Sequence, residues 1–391
     1  MINRRQKLWD VGEEMRRLLT PWRGVAAGFL LNGILLGTWA SRVPAVMGHF
    51  HVAKASFGVL LLLLGLGALI SFPITGRLSD SLGAVRVARM IAIPFLVSIA
   101  ALGLAPTIPL LAIALFLFGM CHGSMDVAVN SWASEVEKHM GRPVMSSFHA
   151  MWSVGAVLGA AGGYIATVFQ TPVYVHFLVT AVTIGGLLGP FLLLDWQSTI
   201  RRHESGAVGL VLPNSGLFLV GLIALASGLG EGTALDWSAV YLHDVVGTEE
   251  SDAALGYMGF SAAMVMMRLK ADSLVTRWGS ANVARISGFS AVFGILLIVL
   301  GETLPLVVAG FVLMGVGYAA VLPLAFSRAA ADLVVPAGKA IASVAIFAYG
   351  AMTLGPFAIG LLAEAATMRL CFFIVGLFAA LVAVLAPVLK Q

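Results

Sequence analysis

The chain is 391 residues long, 60% hydrophobic and only 11% charged, against roughly 45–50% apolar and 25% charged in ordinary soluble domains. That composition excludes a water-soluble globular domain and points to a protein dissolved in a bilayer. The net charge of +4 fits a basic surface against anionic lipid and does not imply nucleic acid.

The first 23 residues are too charged and broken for a cleaved signal. Leu8, Val11, Met15 and Leu18 follow helical spacing, so 1–23 reads as a cytoplasmic segment that lies on the membrane surface or moves freely. Apolar runs of about 20 residues, the length that crosses a bilayer, then recur from Val25 to Leu389. The predicted spans are 24–47, 55–77, 87–106, 108–133, 144–170, 173–195, 214–242, 253–274, 283–301, 304–330, 340–366 and 368–389. The one sizeable polar stretch between spans divides the chain into a six-helix half (24–195), a cytoplasmic linker (196–213) and a second six-helix half (214–391).

Twelve spans put both termini on one side. With that side cytoplasmic, twenty of the 23 Lys and Arg lie inside, Arg142, Arg268 and Lys270 among them, and Arg42, Lys54 and Arg369 lie outside. This bias sets topology, so the expected location is the bacterial inner membrane with cytoplasmic termini. Cys121 and Cys371 imply neither a disulfide nor a zinc site.

The two halves repeat. A shift of 196 lays Leu82–Arg89 over Trp278–Arg285, and Gly119, His122, Ser131 and Gly159 over Gly315, Tyr318, Ser327 and Gly355. A shift of 198 lays Trp39 over Trp237. Repeated halves are how many secondary transporters build a midplane site that opens to alternate sides.

The loop Gly76-Arg-Leu-Ser-Asp80-Ser-Leu-Gly83-Ala-Val-Arg86 resembles the signature Gly-x-Leu-x-Asp-Arg-x-Gly-Arg-Arg of the major facilitator superfamily. Ser81, Ala84 and Val85 depart from it. The resemblance implies an all-α membrane fold of twelve transmembrane helices in two pseudo-symmetric halves. It also implies a gating role for Gly76, Asp80, Gly83 and Arg86, which latch helix ends in one conformation. "GSMDVAVN" in the fourth span and "EGTALDWSAVYL" in the seventh are similar to a branch that contains fucose permease-like and MosC-like membrane proteins. That branch carries an acid, three residues and Asn in the fourth helix, as Asp126 and Asn130 do here. Fucose permeases carry a further acid in the first helix, where this chain has Trp39, Ser41 and Arg42.

An ionised acid at a helix centre costs roughly 2.5–3.5 kcal/mol on insertion scales, so it faces a cavity or a partner. His122, Asp126 and Asn130 are spaced four apart and share one helix face. Asp126 reads as the proton carrier, His122 as its proton partner or a packing histidine, and Asn130 as a substrate ligand or hydrogen-bond partner of Asp126. Glu231, one turn from Ser227, is the second proton-coupling candidate or an ion pair holding the halves together. Asp236-Trp237 lies nearer the outside, where a tryptophan is an ordinary interfacial anchor.

Candidate substrate contacts are Asn32 and Trp39 in the first span, Asn130 in the fourth, His149 and Trp152 in the fifth beside Ser153, Tyr318 in the tenth and Tyr349 in the eleventh. They offer the few polar groups and flat rings that a small-molecule site needs. Arg42 reads as an outer-gate residue pairing with an acid, as an anion ligand, or as a snorkelling base. Gly155 and Gly159 have the spacing that lets helices approach closely, without the proline found here in drug-exchanging members of the superfamily.

The expected function is non-enzymatic: secondary active transport of a small polar metabolite, sugar-, polyol- or cyclitol-like, by proton-coupled symport. The alternative is a proton-driven exporter of a metabolite or amphipathic drug. Metalloprotease, serine-hydrolase and nucleotide-binding motifs are absent from the sequence. No cofactor or metal is expected, although a metal carrier using His122, Asp126 and His149 is a third reading. The expected partners are the small-molecule substrate, protons and membrane lipid, with the monomer as the working unit.

Overall fold

A backbone in lipid has no water to bond to, so each apolar run must satisfy its own N–H and C=O groups, and it does so as a helix. The computed structural model describes residues 21–141, 144–193, 195–198, 200, 215–332, 334–335 and 337–390. The amphipathic segment at 1–20, most of the linker (201–213) and Arg142 lie outside the described residues.

The first half holds α1 (Pro21–Ser41), α2 (Val43–Phe50), α3 (Lys54–Leu82), α4 (Ala84–Leu104), α5 (Ile108–Met140), α6 (Met145–Val168) and α7 (Val173–Leu192). The second holds α8 (Ser215–Tyr241), α9 (Glu250–Trp278), α10 (Ser280–Leu300), α11 (Leu304–Tyr318), α12 (Val321–Ala330), α13 (Ala337–Ala365) and α14 (Met368–Leu385). Helix α2 continues α1 past a kink at Arg42, and a π-helical turn at Leu242–Val246 continues α8. The predicted tenth span is broken at Ala319–Ala320 into α11 and α12. Helix α5 runs to Met140, two turns beyond its predicted end.

Among the described residues, eleven helical stretches are long and apolar enough to cross a membrane. The remaining one, the eighth predicted span, is α9, as long as α3 at 29 residues, but Glu250, Asp252, Arg268, Lys270, Asp272 and Arg277 make it more polar.

The repeat is physical. Helices α3, α4 and α5 begin at residues 54, 84 and 108, and α9, α10 and α11 at 250, 280 and 304, a constant shift of 196. Gly83 and Gly279 turn the chain between paired helices at φ +89° and +79°, a region that only glycine enters freely. Gly119 lies against the carbonyl of Leu64, and Gly315 against that of Phe260. Both the glycines and their partners are one repeat apart.

Within the halves, α1 packs on α6, α3 on α5, α8 on α13 and α10 on α11; between them, α3 meets α13 and α6 meets α9. The α1–α6 contact is backbone against backbone. A Cβ on Gly33 or Gly37 would strike the carbonyls of Trp152 and Ala156, and one on Gly155 or Gly159 those of Leu30 and Ile34. In lipid, where association relies on dispersion contact, small residues are what permits such an approach.

Candidate transport site

Asp126 lies 18 residues into α5, about 27 Å along it, near the middle of the bundle. The glycine face of the helix is fixed against α3, with Gly119 on Leu64 and Gly123 on Ala68 and Ser71. His122, Asp126 and Asn130 remain partly accessible. Asn130 Nδ2 donates to the Asp126 carboxylate at 3.2 Å and to its backbone carbonyl at 2.9 Å. His122 Nδ1 lies 2.6 Å from Oδ1 of Asn32, which is fully buried on α1. The predicted stripe is therefore present, and its histidine bonds across to α1.

Glu231, near the middle of α8, has two partners. Ser227 Oγ donates to Oε1 at 3.1 Å, and Arg268 Nη2 approaches Oε2 at 3.5 Å. A second arm of Arg268, Nη1, donates to Ser153 Oγ on α6 at 3.0 Å. One guanidinium thus touches both halves, through its fork of donors. This corrects the placing of Arg268 among the inner-surface bases. It lies ten residues short of the end of α9, about 15 Å deep, with 18% of its side chain exposed.

Tyr349 of α13 stands near both acids. Its ring contacts Phe72 of α3 edge-on at 5.5 Å, its side chain is 37% exposed, and it lies in electrostatic range of both Asp126 and Glu231. Tyr318 is buried, its ring filling the space left by Gly230, and its hydroxyl meets no partner among the described residues. His149 is exposed, set edge-on to Phe29 at 5.2 Å and in range of Arg268. Trp152 is partly buried on the α6 face that meets α1. Tyr349 and His149 carry exposed side chains, and His149 lies in the first turns of α6, at the end of the bundle that carries Asp80.

The opposite end is sealed. Arg42 Nε lies 3.2 Å from Glu250, and its Nη2 donates to the Thr171 carbonyl at 3.1 Å. Lys54 Nζ lies 2.7 Å from Asp244, and its backbone N–H donates to Glu364 at 3.1 Å. Gly58 and Gly360 bring α3 and α13 together beside these pairs. Beneath them Phe57 stacks on Trp39 at 6.2 Å and receives the edge of Trp237 at 6.0 Å. Trp39 and Trp237 are fully buried. Trp39 therefore lies in the seal, away from the accessible surface expected of a substrate contact, and Trp237 is a buried bridge between halves instead of an interfacial anchor.

The signature loop is spread out. Asp80 is partnered in the last turn of α3, Gly76 borders open space, Arg86 is exposed, and Gly83 rests against Ser198, whose hydroxyl accepts from the Val85 N–H at 3.1 Å. Among the described residues no group of three or more His, Cys, Asp and Glu could hold a metal ion.

The profile of the Major Facilitator Superfamily matches residues 25–333. The chain belongs to this superfamily. An uncharacterized MFS-type transporter of Yersinia pestis is 32% identical over 356 residues, 89% of this chain and 90% of the relative. Membrane protein MosC of Rhizobium meliloti is 29% identical over 354 residues, 90% and 86% of the two chains. A crystal structure of a mutant of the nucleoside transporter NupG superposes with a TM-score of 0.80 at 12% identity, covering 95% of this chain and 100% of that one. A second NupG structure gives 0.73 at 13% identity. At such identity the likeness is one of fold. Membership accounts for the multi-pass helices and for two halves that meet around a polar centre.

Arg268 and Tyr257 are the functional candidates that sequence reasoning missed. Tyr257 is buried on α9 and feels Asp236, Glu231 and Arg268. A basic residue amid Met264, Met266, Met267 and Leu269 was the available signal for Arg268.

Proposed function

We propose that this chain is a secondary active transporter of a small polar metabolite, sugar-, polyol- or cyclitol-like, working by proton-coupled symport as a monomer. The observation that carries the reading is a pair of acids deep in the bundle, one from each half, Asp126 held by Asn130 and Glu231 by Ser227 and Arg268. Asp126 is the proton carrier, with Asn130 and His122 adjusting its surroundings, and Glu231 is the second coupling acid. His149, Trp152 and Tyr349 offer hydrogen bonds and ring faces to substrate, Asn32 and Tyr318 are buried behind that surface as Trp39 is, and Arg42 gates the sealed end.

The working units are the halves 24–195 and 214–391, joined by the linker 196–213. The charge bias of the turns supports an inner-membrane protein with cytoplasmic termini, which makes the Arg42 end the outer one and has the accessible site face the cytoplasm. In transport, rearrangement at the two ends exposes the same acids to each side in turn.

Thermal unfolding of purified protein against sugars, cyclitols, amino sugars, nucleosides and lipophilic cations tests the reading. A ligand at 100 times its dissociation constant stabilises by about 2.7 kcal/mol. Stabilisation by a sugar-like ligand is the expected result, and a shift with lipophilic cations alone replaces the metabolite carrier with an exporter.

A further inference from the structure

We infer that Asp236 is a third proton-carrying residue, one that exchanges its proton with solution only at the Arg42 end. This rests on the proton-coupled reading above and adds a station to it. Asp236 lies on α8, five residues from Glu231 toward the sealed end and eight short of Asp244, about 12 Å inward of that residue. Its side chain is 8% exposed, and no described residue donates a hydrogen bond to it. The other two acids differ: Asp126 has Asn130, and Glu231 has Ser227 and Arg268.

A carboxylate withdrawn from water without a partner is strongly disfavoured, and protonation removes the charge. The groups around Asp236 offer no compensating cation. From α9 it faces Tyr257, which also feels Glu231 and Arg268, and that guanidinium is engaged by Glu231 and Ser153. From α11 comes Tyr318, which faces Glu231. Toward the first half the neighbouring Trp237 leads to Phe57 and Trp39, all uncharged. The Lys and Arg at this end are engaged, Arg42 with Glu250, Lys54 with Asp244 and Glu364, and Arg369 with Tyr241. On the far side of the seal lies a cleft of about 760 Å³ lined by Arg42, His49, Thr171, Tyr174 and Glu250.

Asp236 is therefore a neutral acid behind a closed seal. When the halves part at that end, water from the cleft reaches it, its O–H bond breaks and the proton leaves as hydronium. Reloading reverses the step. Asp126 and Glu231 exchange with the opposite side while the seal is shut.

Infrared difference spectroscopy of the full-length protein in lipid tests this without a transport substrate. At neutral pH the wild type is expected to show a protonated-carboxyl C=O band that Asp236→Asn removes and Asp236→Glu displaces. On transfer to deuterium oxide the band should shift slowly, and at least about tenfold faster in Arg42→Ala/Lys54→Ala, which loosens the seal. Identical carboxyl bands in wild type and folded Asp236→Asn show an ionised Asp236 and overturn the inference. If Asp236→Asn does not fold, an undisplaced band in Asp236→Glu does the same. Equally fast exchange with the seal intact and loosened overturns the side of loading. The parent reading fails separately, through a wild type whose substrate accumulation ignores a proton gradient.

Discussion

Phe72 and Arg268 occupy matching places in the two halves, 196 residues apart, and so do Ser153 and Tyr349. A member of one pair meets a member of the other in two contacts across the molecule, Arg268 with Ser153 and Phe72 with Tyr349. One contact is a charged donor on a hydroxyl, and its mate is two rings edge to face. The same holds at the sealed end, where Lys54 and Glu250, the matched first residues of α3 and α9, bind acids and a base respectively. The repeat supplies the skeleton twice, while the chemistry is divided between the copies, bases to one side of the seal and acids to the other.

The division is broken most severely at Asp126, whose counterpart is Leu322. Asp126→Asn is expected to reduce gradient-driven accumulation in proteoliposomes to background and to spare exchange, whereas Leu322→Asn should leave accumulation within about twofold. Unchanged accumulation by Asp126→Asn would remove the proton-carrier role. The next largest effect is on stability. Arg268→Ala leaves Glu231 unpaired and should cost about 3 kcal/mol, the low end for splitting a buried pair, because both side chains retain some access. Arg268→Ala/Glu231→Gln should recover most of that loss in denaturation midpoint.

The inverted charges at the seal can be exchanged. In a background without Cys121 and Cys371, a cysteine at Thr38, 1% exposed, should react with an impermeant maleimide about tenfold faster in Arg42→Glu, equivalent to about 1.4 kcal/mol. Adding Glu250→Arg should slow it again, and failure of the double reversal to do so would take the pair out of the gate. The smallest effect is expected at the aromatic counterpart of the Arg268 contact. Tyr349→Leu should cost about 1 kcal/mol, the worth of one ring pair, and a loss as large as that in Arg268→Ala would contradict the asymmetry.

Much of this frame was legible in the residues. Helix starts and the 196 register follow from apolar runs and turn residues, because in lipid every backbone must close on itself. Asp126 and Glu231 were legible because acids among Leu, Phe and Ala need a reason to be there. Arg268 was not, since a base near the end of a predicted span is ordinarily one whose head reaches water. Its depth was set by α9 continuing to Trp278. Trp39 and Trp237 were misread for a related reason. A sequence gives depth along a helix, but Phe57, which meets them both, belongs to a third helix.

The glycine seam between α1 and α6 gives these contacts a mechanical meaning. With backbone lodged against backbone at Gly33, Gly37, Gly155 and Gly159, the two helices have little room to slide and behave as one stiff beam. At one point the beam is held by Arg268 through Ser153, and nearer its other end it carries Trp39. A push on Ser153 is thus delivered to the tryptophan plug as leverage, with the seam as the transmission shaft.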